Sequence, residues 1–376
     1  MNPFYLAPLL LSIYVGASAL LPLKLPLWGK ATAAVFLLGA AYKNVIFQKI
    51  GGGMYFAPDL PRGVLMGGAL AFNFLAAALF PLMLKDVIHG LWRLSLRRPF
   101  PSQAAALWAL SAAAVLALWG TWQACALPRV VNYEVAIAGL PPEFDGKTAA
   151  LLSDLHCSPT NGRDFIQAVV DRTRSQNPDL ILMTGDFVDG RVERLKGQLE
   201  PLSQLKAPLG IYGCTGNHEY LSGYGQWRPV LKSLGIRVLE NEHAVLEAGR
   251  GRLVIAGVND PLGAAFGFEK PDVEKTLQGT PADAPVVLLR HRPSGAPESA
   301  RYGASLQLSG HTHGGHLPLL RPLVARLNGG YVRGWYDVEG MKLFTSPGTS
   351  QWNGFPMRLG CPSEISVLTL RSAAKR

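Results

Sequence analysis

A chain of 376 residues with 36 Lys and Arg against 26 Asp and Glu has room for two units, and its formal charge of +10 is unevenly spread. Residues 1–127 hold two acidic side chains, Asp59 and Asp86, against nine basic ones, whereas the other 249 hold 24 acidic and 27 basic. The excess positive charge flanks apolar segments, as membrane topology and anionic head groups require, and no basic stripe interleaved with aromatics supports nucleic-acid binding.

Spanning a hydrocarbon core takes ~20 predominantly apolar residues in a helix. Residues 4–23, 64–84 and 104–127 meet that demand with no internal charge, and a weaker candidate over about 31–48 has a short apolar core interrupted by Lys43. The first segment lacks the basic leader of a cleavable signal peptide, and more spans follow it. Four spans put both termini on one side. Lys24 and Lys30 fall in the first connection, Lys49 and Arg62 in the second, and Lys85, Arg93, Arg97 and Arg98 in the third. The positive-inside rule then places connections one and three in the cytoplasm and the C-terminal domain outside. The expected protein is a multi-pass cell-membrane protein with an extracytoplasmic domain, organised as residues 1–127 and 128–376.

From about residue 130 short apolar runs alternate with Gly, Pro and Asp. Strands are expected over 131–138, 148–152, 180–184, 209–214, 237–240, 244–247, 253–258, 286–289, 305–308, 342–345 and 365–370, with helices over 165–175 and 227–234. Buried strands alternating with helices make this an α/β domain. Five strands run directly into loops bearing Asp, Asn or His: Asp154-Leu155-His156, Gly185-Asp186, Gly216-Asn217-His218-Glu219, His291, and Gly310-His311-Thr312-His313. Ligand sites of sheet-based α/β folds gather outside the carboxyl ends of strands, so these loops are candidates to converge.

Two Asp, one Asn and five His exceed what one tetrahedral zinc needs, and imidazole mixed with carboxylate suits Mn, Fe or Zn. The four cysteines, Cys125, Cys157, Cys214 and Cys361, have no CxxC spacing. A two-metal centre with Asp186 as the bridging carboxylate fits better. Such a centre clamps a phosphoryl group and lowers the pKa of a bridging water. Each piece alone has a bland reading: Gly-Asp punctuates loops, Asn217 caps a helix, His291 packs. Two histidines two residues apart in a Gly-flanked loop have few structural uses, and all five pieces in this order point to a site.

On those residues the sequence resembles the calcineurin-like metallophosphoesterase superfamily, over roughly residues 130–370. The resemblance implies a four-layered α/β/β/α sandwich preceded here by a helical transmembrane region. It implies that Asp154, His156, Asp186 and His313 hold one divalent metal and Asp186, Asn217, His291 and His311 the other. His218 is then not a ligand but a catalytic residue that stabilises the transition state or protonates the leaving oxygen. The run GHTHGG looks like the branch of membrane-associated or exported bacterial members, some of which cleave the pyrophosphate of a lipid A precursor. His316 stands where that branch has Gln, and it is expected to be exposed. Asp189 and Glu219 are expected to orient ligand imidazoles. Arg290 and Arg292 read as solvated, and Trp335, Trp352 and Phe355 as packing the end of the sandwich.

The expected function is hydrolysis of a phosphoester or pyrophosphate bond by a metal-bound hydroxide, with a lipid-linked phosphate as the substrate class because the domain is tied to a bilayer. Two competing readings remain at this stage. One is a membrane scaffold or transporter with a non-catalytic metal-binding domain, against which the complete ligand set weighs. The other is a structural-zinc module.

Overall fold

The computed structural model describes residues 3–96 and 98–374. The chain divides into two compact units, one running to Gln123 and including Gly354–Met357, the other comprising Ala124–Asn353 and the C-terminal stretch from Arg358.

The first unit is helical: α1 (Pro3–Leu20), α2 (Leu27–Ala41), α3 (Lys43–Gly51) and α4 (Arg62–Ser95), with most of α5 (Ser102–Cys125). Of the four expected spans, α4 and α5 are each long and apolar enough to cross a membrane alone. At ~1.5 Å per residue, the 34 residues of α4 extend about 51 Å, beyond the hydrocarbon core. The segment expected at 31–48 is not one straight helix. It is the pair α2 and α3, bent by 69°, and makes a third span only if the bent pair counts as one. The bend falls beside Lys43, which is buried, donates to Asn44 Oδ1 at 2.7 Å and lies 5.5 Å from the centre of the Phe72 ring. The first apolar run also stops early, at Leu20, because the Pro22 and Pro26 that follow cannot continue a helix. Polar contacts fasten α1 to α4: Lys85 Nζ donates to the Ser18 carbonyl at 2.7 Å, while Asp86 accepts from Tyr14 at 2.8 Å and Ser18 at 2.6 Å. Such contacts serve as glue between apolar helices. Arg97 lies outside the described residues.

The second unit has twelve described strands: β1 (Arg129–Ala138), β2 (Thr148–Leu152), β3 (Leu180–Met183), β4 (Ile211–Gly213), β5 (Arg237–Val238), β6 (Glu242–Ala248), β7 (Gly251–Gly257), β8 (Val286–Leu289), β9 (Leu306–Ser309), β10 (Gly334–Val338), β11 (Met341–Thr345) and β12 (Glu364–Ala373). They form two six-stranded sheets, ordered β1-β12-β2-β3-β4-β5 and β10-β11-β9-β8-β7-β6. Within them β2 to β5 run parallel, as do β7, β8, β9 and β11. Strand alternation assigns the layers. Ala149 and Leu151 of β2 face inward with Leu182, Leu253, Val287, Leu289, Leu308 and Phe344 to fill the space between the sheets. Their neighbours Ala150 and Leu152 face outward, with Ile181 and Met183, onto α6 (Arg163–Arg174), α7 (Val192–Leu199) and α9 (Tyr224–Ser233). Val254, Ala256, Val286 and Leu288 face out from the other sheet onto α10 (Val273–Leu277) and α11 (Ala296–Arg301). This is the expected α/β/β/α sandwich.

Phe344 is fully buried, with its ring centre 5.0 Å from Tyr133 and 4.7 Å from Trp335. Phe344→Ala should therefore destabilise the sandwich by about 3–5 kcal/mol. Denaturant unfolding of the detergent-solubilised protein, followed by tryptophan fluorescence, measures this. A loss below about 1 kcal/mol would contradict the packing between the sheets.

Candidate metal centre

The loops after β2, β3 and β4 in one sheet and after β8 and β9 in the other carry the expected ligands, and the fold brings six of the seven into ligand-atom range. Two groups result. Asp154, His156 and His313 have ligand atoms within 4.8 Å of one another, and so have Asp186, His291 and His311. His156 Nε2 and His313 Nε2 are 3.0 Å apart, and His311 Nδ1 and His291 Nε2 are 3.2 Å apart. Bonds of ~2.0–2.1 Å from one ion to two imidazole nitrogens hold those nitrogens about 3 Å apart, so the spacing fits a shared cation. Asn217 supplies a second test: its Oδ1 is buried without a hydrogen-bond partner, the condition of an acceptor awaiting a cation.

Asp186 links the groups. Its Oδ2 lies 3.7 Å from His156 Nε2 and 3.1 Å from His291 Nε2, one nitrogen from each cluster. Its other oxygen accepts the His218 backbone N–H at 2.8 Å. Burial opposes ionisation of Asp186, yet the surrounding His291, His218 and His156 hold its pKa well below the usual carboxylate range. Burial instead prevails at Asp154, whose pKa is raised.

Glu219 fixes the loops to each other. Its carboxylate accepts from the backbone N–H groups of Asp186 at 2.8 Å, Phe187 at 2.6 Å and Gly216 at 2.6 Å, tying the loop after β3 to the loop after β4. Burial, followed by the charge of Asp186, raises its pKa to about 7. Asp189 accepts from two imidazoles at one oxygen: His156 Nδ1 at 3.0 Å and His218 Nδ1 at 2.5 Å. The contact leaves each Nε2 directed elsewhere and fixes the ring orientation. His291 Nδ1 is likewise occupied by the Thr184 carbonyl at 2.6 Å, leaving Nε2 for coordination.

Burial lowers the affinity of His218 for a proton, but Asp189 and Asp186 overcome it and raise the pKa to about 9. His291 is raised to about 10 against the same burial, chiefly by Asp186. His311 and His313 fall well below the ordinary histidine value, through burial first and the positive charge of their neighbours second. Neutral imidazole is the metal-binding form.

The backbone is strained where the chemistry is. Asp154, His156, Asp186, His311 and His313 adopt φ of +43° to +70°, a region L side chains rarely occupy. Glycines make room beside them. A Cβ added at Gly216 would collide with Asp186 Oδ1, and one at Gly310 with Asp154 Oδ2.

Several side chains differ from expectation. Arg290 is buried and pairs with Glu298 at 2.8 Å, and Arg292 makes a two-pronged contact with Asp260 at 2.7 and 3.1 Å. Neither is simply solvated. His316 is half-buried rather than exposed, and it stacks on His313 with ring centres 5.2 Å apart. Trp335 packs on Phe344 as expected, but Trp352 stands beside His218 and His316 instead of sealing the sandwich. Two neighbours of the centre had no signal in the sequence. Arg358 is buried, with Nη2 3.0 Å from His313 Nδ1 and donating to the Ser350 carbonyl at 2.7 Å. Asn353 Nδ2 donates to Asp189 Oδ2 at 2.8 Å. A lone Arg or Asn in a Gly-rich stretch looks like any loop residue.

The profile of the calcineurin-like phosphoesterase family matches residues 147–315. A transmembrane protein with metallophosphoesterase domain from Danio rerio is 38% identical over 275 residues, covering 70% of this chain and 62% of its own length. A metallophosphoesterase of Aquifex aeolicus is 33% identical over 245 residues, covering 65% of this chain and 92% of its own. The chain thus spans about three fifths of the length of the Danio rerio relative. Among solved structures, a 5'-nucleotidase precursor from Thermus thermophilus superposes with a TM-score of 0.39 at 18% identity, over 59% of this chain and 54% of that one.

Gly216→Ala should displace the Asp186 carboxylate without unfolding the sandwich. Elemental analysis of manganese-loaded, desalted protein should show at least one ion fewer per chain than the unaltered protein, with an unchanged circular dichroism spectrum. Full metal retention would contradict the bridging geometry.

Proposed function

The chain belongs to the calcineurin-like phosphoesterase family, and on that premise we propose that it is a membrane-anchored, metal-dependent hydrolase of phosphoester or pyrophosphate bonds whose substrate is a lipid-linked phosphate. The observation that carries the reading is Asp186, one carboxylate facing a nitrogen from each of two ligand clusters. Asp154, His156, Asp186 and His313 would hold one divalent ion, and Asp186, Asn217, His291 and His311 the other, with Mn, Fe or Zn suited to this donor set. Two such ions supply Lewis acidity toward a phosphoryl oxygen and lower the pKa of a coordinated water.

The chain's own residues supply the remainder. Asp189 holds the His218 ring by Nδ1, and its charge favours the protonated imidazole. His218 Nε2 is then the donor that hands a proton to the leaving oxygen as the phosphorus–oxygen bond breaks and water enters opposite it. Glu219 keeps the loops bearing Asp186 and Asn217 in register, and Arg358 holds the His313 ring from behind.

The lipid-linked class rests on the apolar helices. Arg93 and Arg98 lie toward and beyond the carboxyl end of α4, ahead of α5, and with Arg97 between them in the sequence they are the strongest basic group along the helices. That end belongs in the cytoplasm, so α5 delivers the hydrolase domain to the extracytoplasmic side.

Detergent-purified, Mn²⁺-loaded protein should hydrolyse phenyl methylphosphate, whose leaving oxygen is basic enough to need a proton, and His218→Ala should lower kcat by about 10²- to 10⁴-fold with little change in KM. Equal kcat in the variant would remove His218 from the chemistry. Rapid hydrolysis of soluble nucleotides with no hydrolysis of any lipid phosphate in mixed micelles would contradict the substrate class.

A further inference from the structure

Five rings close a circuit around one side of the centre. His156 meets His218 at 4.6 Å between ring centres, His218 meets Trp352 at 6.4 Å, Trp352 meets His316 at 6.1 Å, His316 meets His313 at 5.2 Å, and His313 returns to His156 at 5.0 Å. Four members are imidazoles. The fifth is an indole that neither ligates nor transfers protons, and it is partly exposed while the rings of His156 and His313 are buried.

Trp352 is held in place from both sides. Gln351 exchanges hydrogen bonds with Asn161, donating to its Oδ1 at 3.0 Å and accepting from its Nδ2 at 3.2 Å. Asn353 donates to Asp189, the carboxylate that also holds His218, and its Oδ1 accepts from the Thr160 hydroxyl. The loop bearing the indole and the ring of His218 are therefore referred to one anchor. Beyond the indole, His316 carries its ring at φ +53°, with its N–H on the His313 carbonyl at 3.2 Å and its own carbonyl accepting from Leu359 N–H at 2.9 Å. These two backbone contacts hold the residue in that strained region.

We propose that Trp352, backed by His316, is a specificity-determining residue that receives the leaving group and selects one presenting a flat ring next to the ester oxygen. The inference rests on the hydrolase reading above. A leaving oxygen within ~2.6–3.2 Å of His218 lies in the same neighbourhood as the indole, whose centre is 6.4 Å from the His218 ring. A flat ring keeps contact across the indole face, whereas a branched alkyl group touches it at few points.

The test compares phenyl methylphosphate with hexafluoroisopropyl methylphosphate, whose leaving alcohols have similar acidity, using full-length Mn²⁺-loaded protein. The phenyl-to-alkyl ratio of kcat/KM is read within each sample, so the fraction of active protein cancels. Trp352→Leu should lower that ratio about five- to tenfold, and Trp352→Phe should restore most of it. An unchanged ratio in Trp352→Leu, or one that Trp352→Phe fails to restore, would overturn the assignment. No turnover of either ester by the unaltered protein would overturn the hydrolase reading and the assignment with it.

Discussion

The carboxylate of Asp186 is the constraint on which the site depends. It follows a fully buried strand, faces a histidine nitrogen of each ligand cluster and accepts a backbone N–H from the segment after the next strand. An ionised group this deeply buried is tolerable only with full compensation, which the surrounding histidines and backbone donors provide. Bound cations would add to that compensation at the same carboxylate. Glu219 extends the same logic outward: it accepts three backbone N–H groups and locks two loops whose ligands are otherwise unrelated in sequence.

The strain at the centre is the counterpart of this order. Five of the proposed ligand residues sit at positive φ, each of order 1–3 kcal/mol less favourable than ordinary backbone. The two sheets offset that cost because their facing sides form one continuous apolar core, from Leu151 and Leu182 across to Leu289, Leu308 and Phe344. The strands that supply the core also end at the centre, so rigidity and ligand placement share a cause. Gly216 and Gly310 let the loops approach within a distance that any side chain would block.

Much of this was legible in the sequence because it is local. Thr148–Leu152 and Val286–Leu289 stand out as short apolar runs, and a polar ligand immediately after each reads as a strand end. The motif residues come together as the order of those loops implied. What stayed hidden depends on distant contacts. Arg358 meets His313 across 45 residues, and Asn353 meets Asp189 across 164. Gly334–Val338 is irregularly patterned and half-exposed, and it becomes a strand only by pairing with Met341–Thr345. Hydropathy likewise marks 31–48 as apolar and Lys43 as its interruption, but not the 69° bend that falls there. Trp352 read as packing because an aromatic in a Gly-rich stretch carries no record of the ring it will face.

The central claim is that Asp186 joins two cations in one centre. Low-temperature electron paramagnetic resonance of the full-length protein loaded with two Mn²⁺ per chain tests it directly. A carboxylate-bridged pair gives an exchange-coupled multiline spectrum, which Asp186→Asn should convert to the six-line pattern of isolated Mn²⁺. A six-line spectrum from the unaltered protein at two ions per chain would contradict the shared centre.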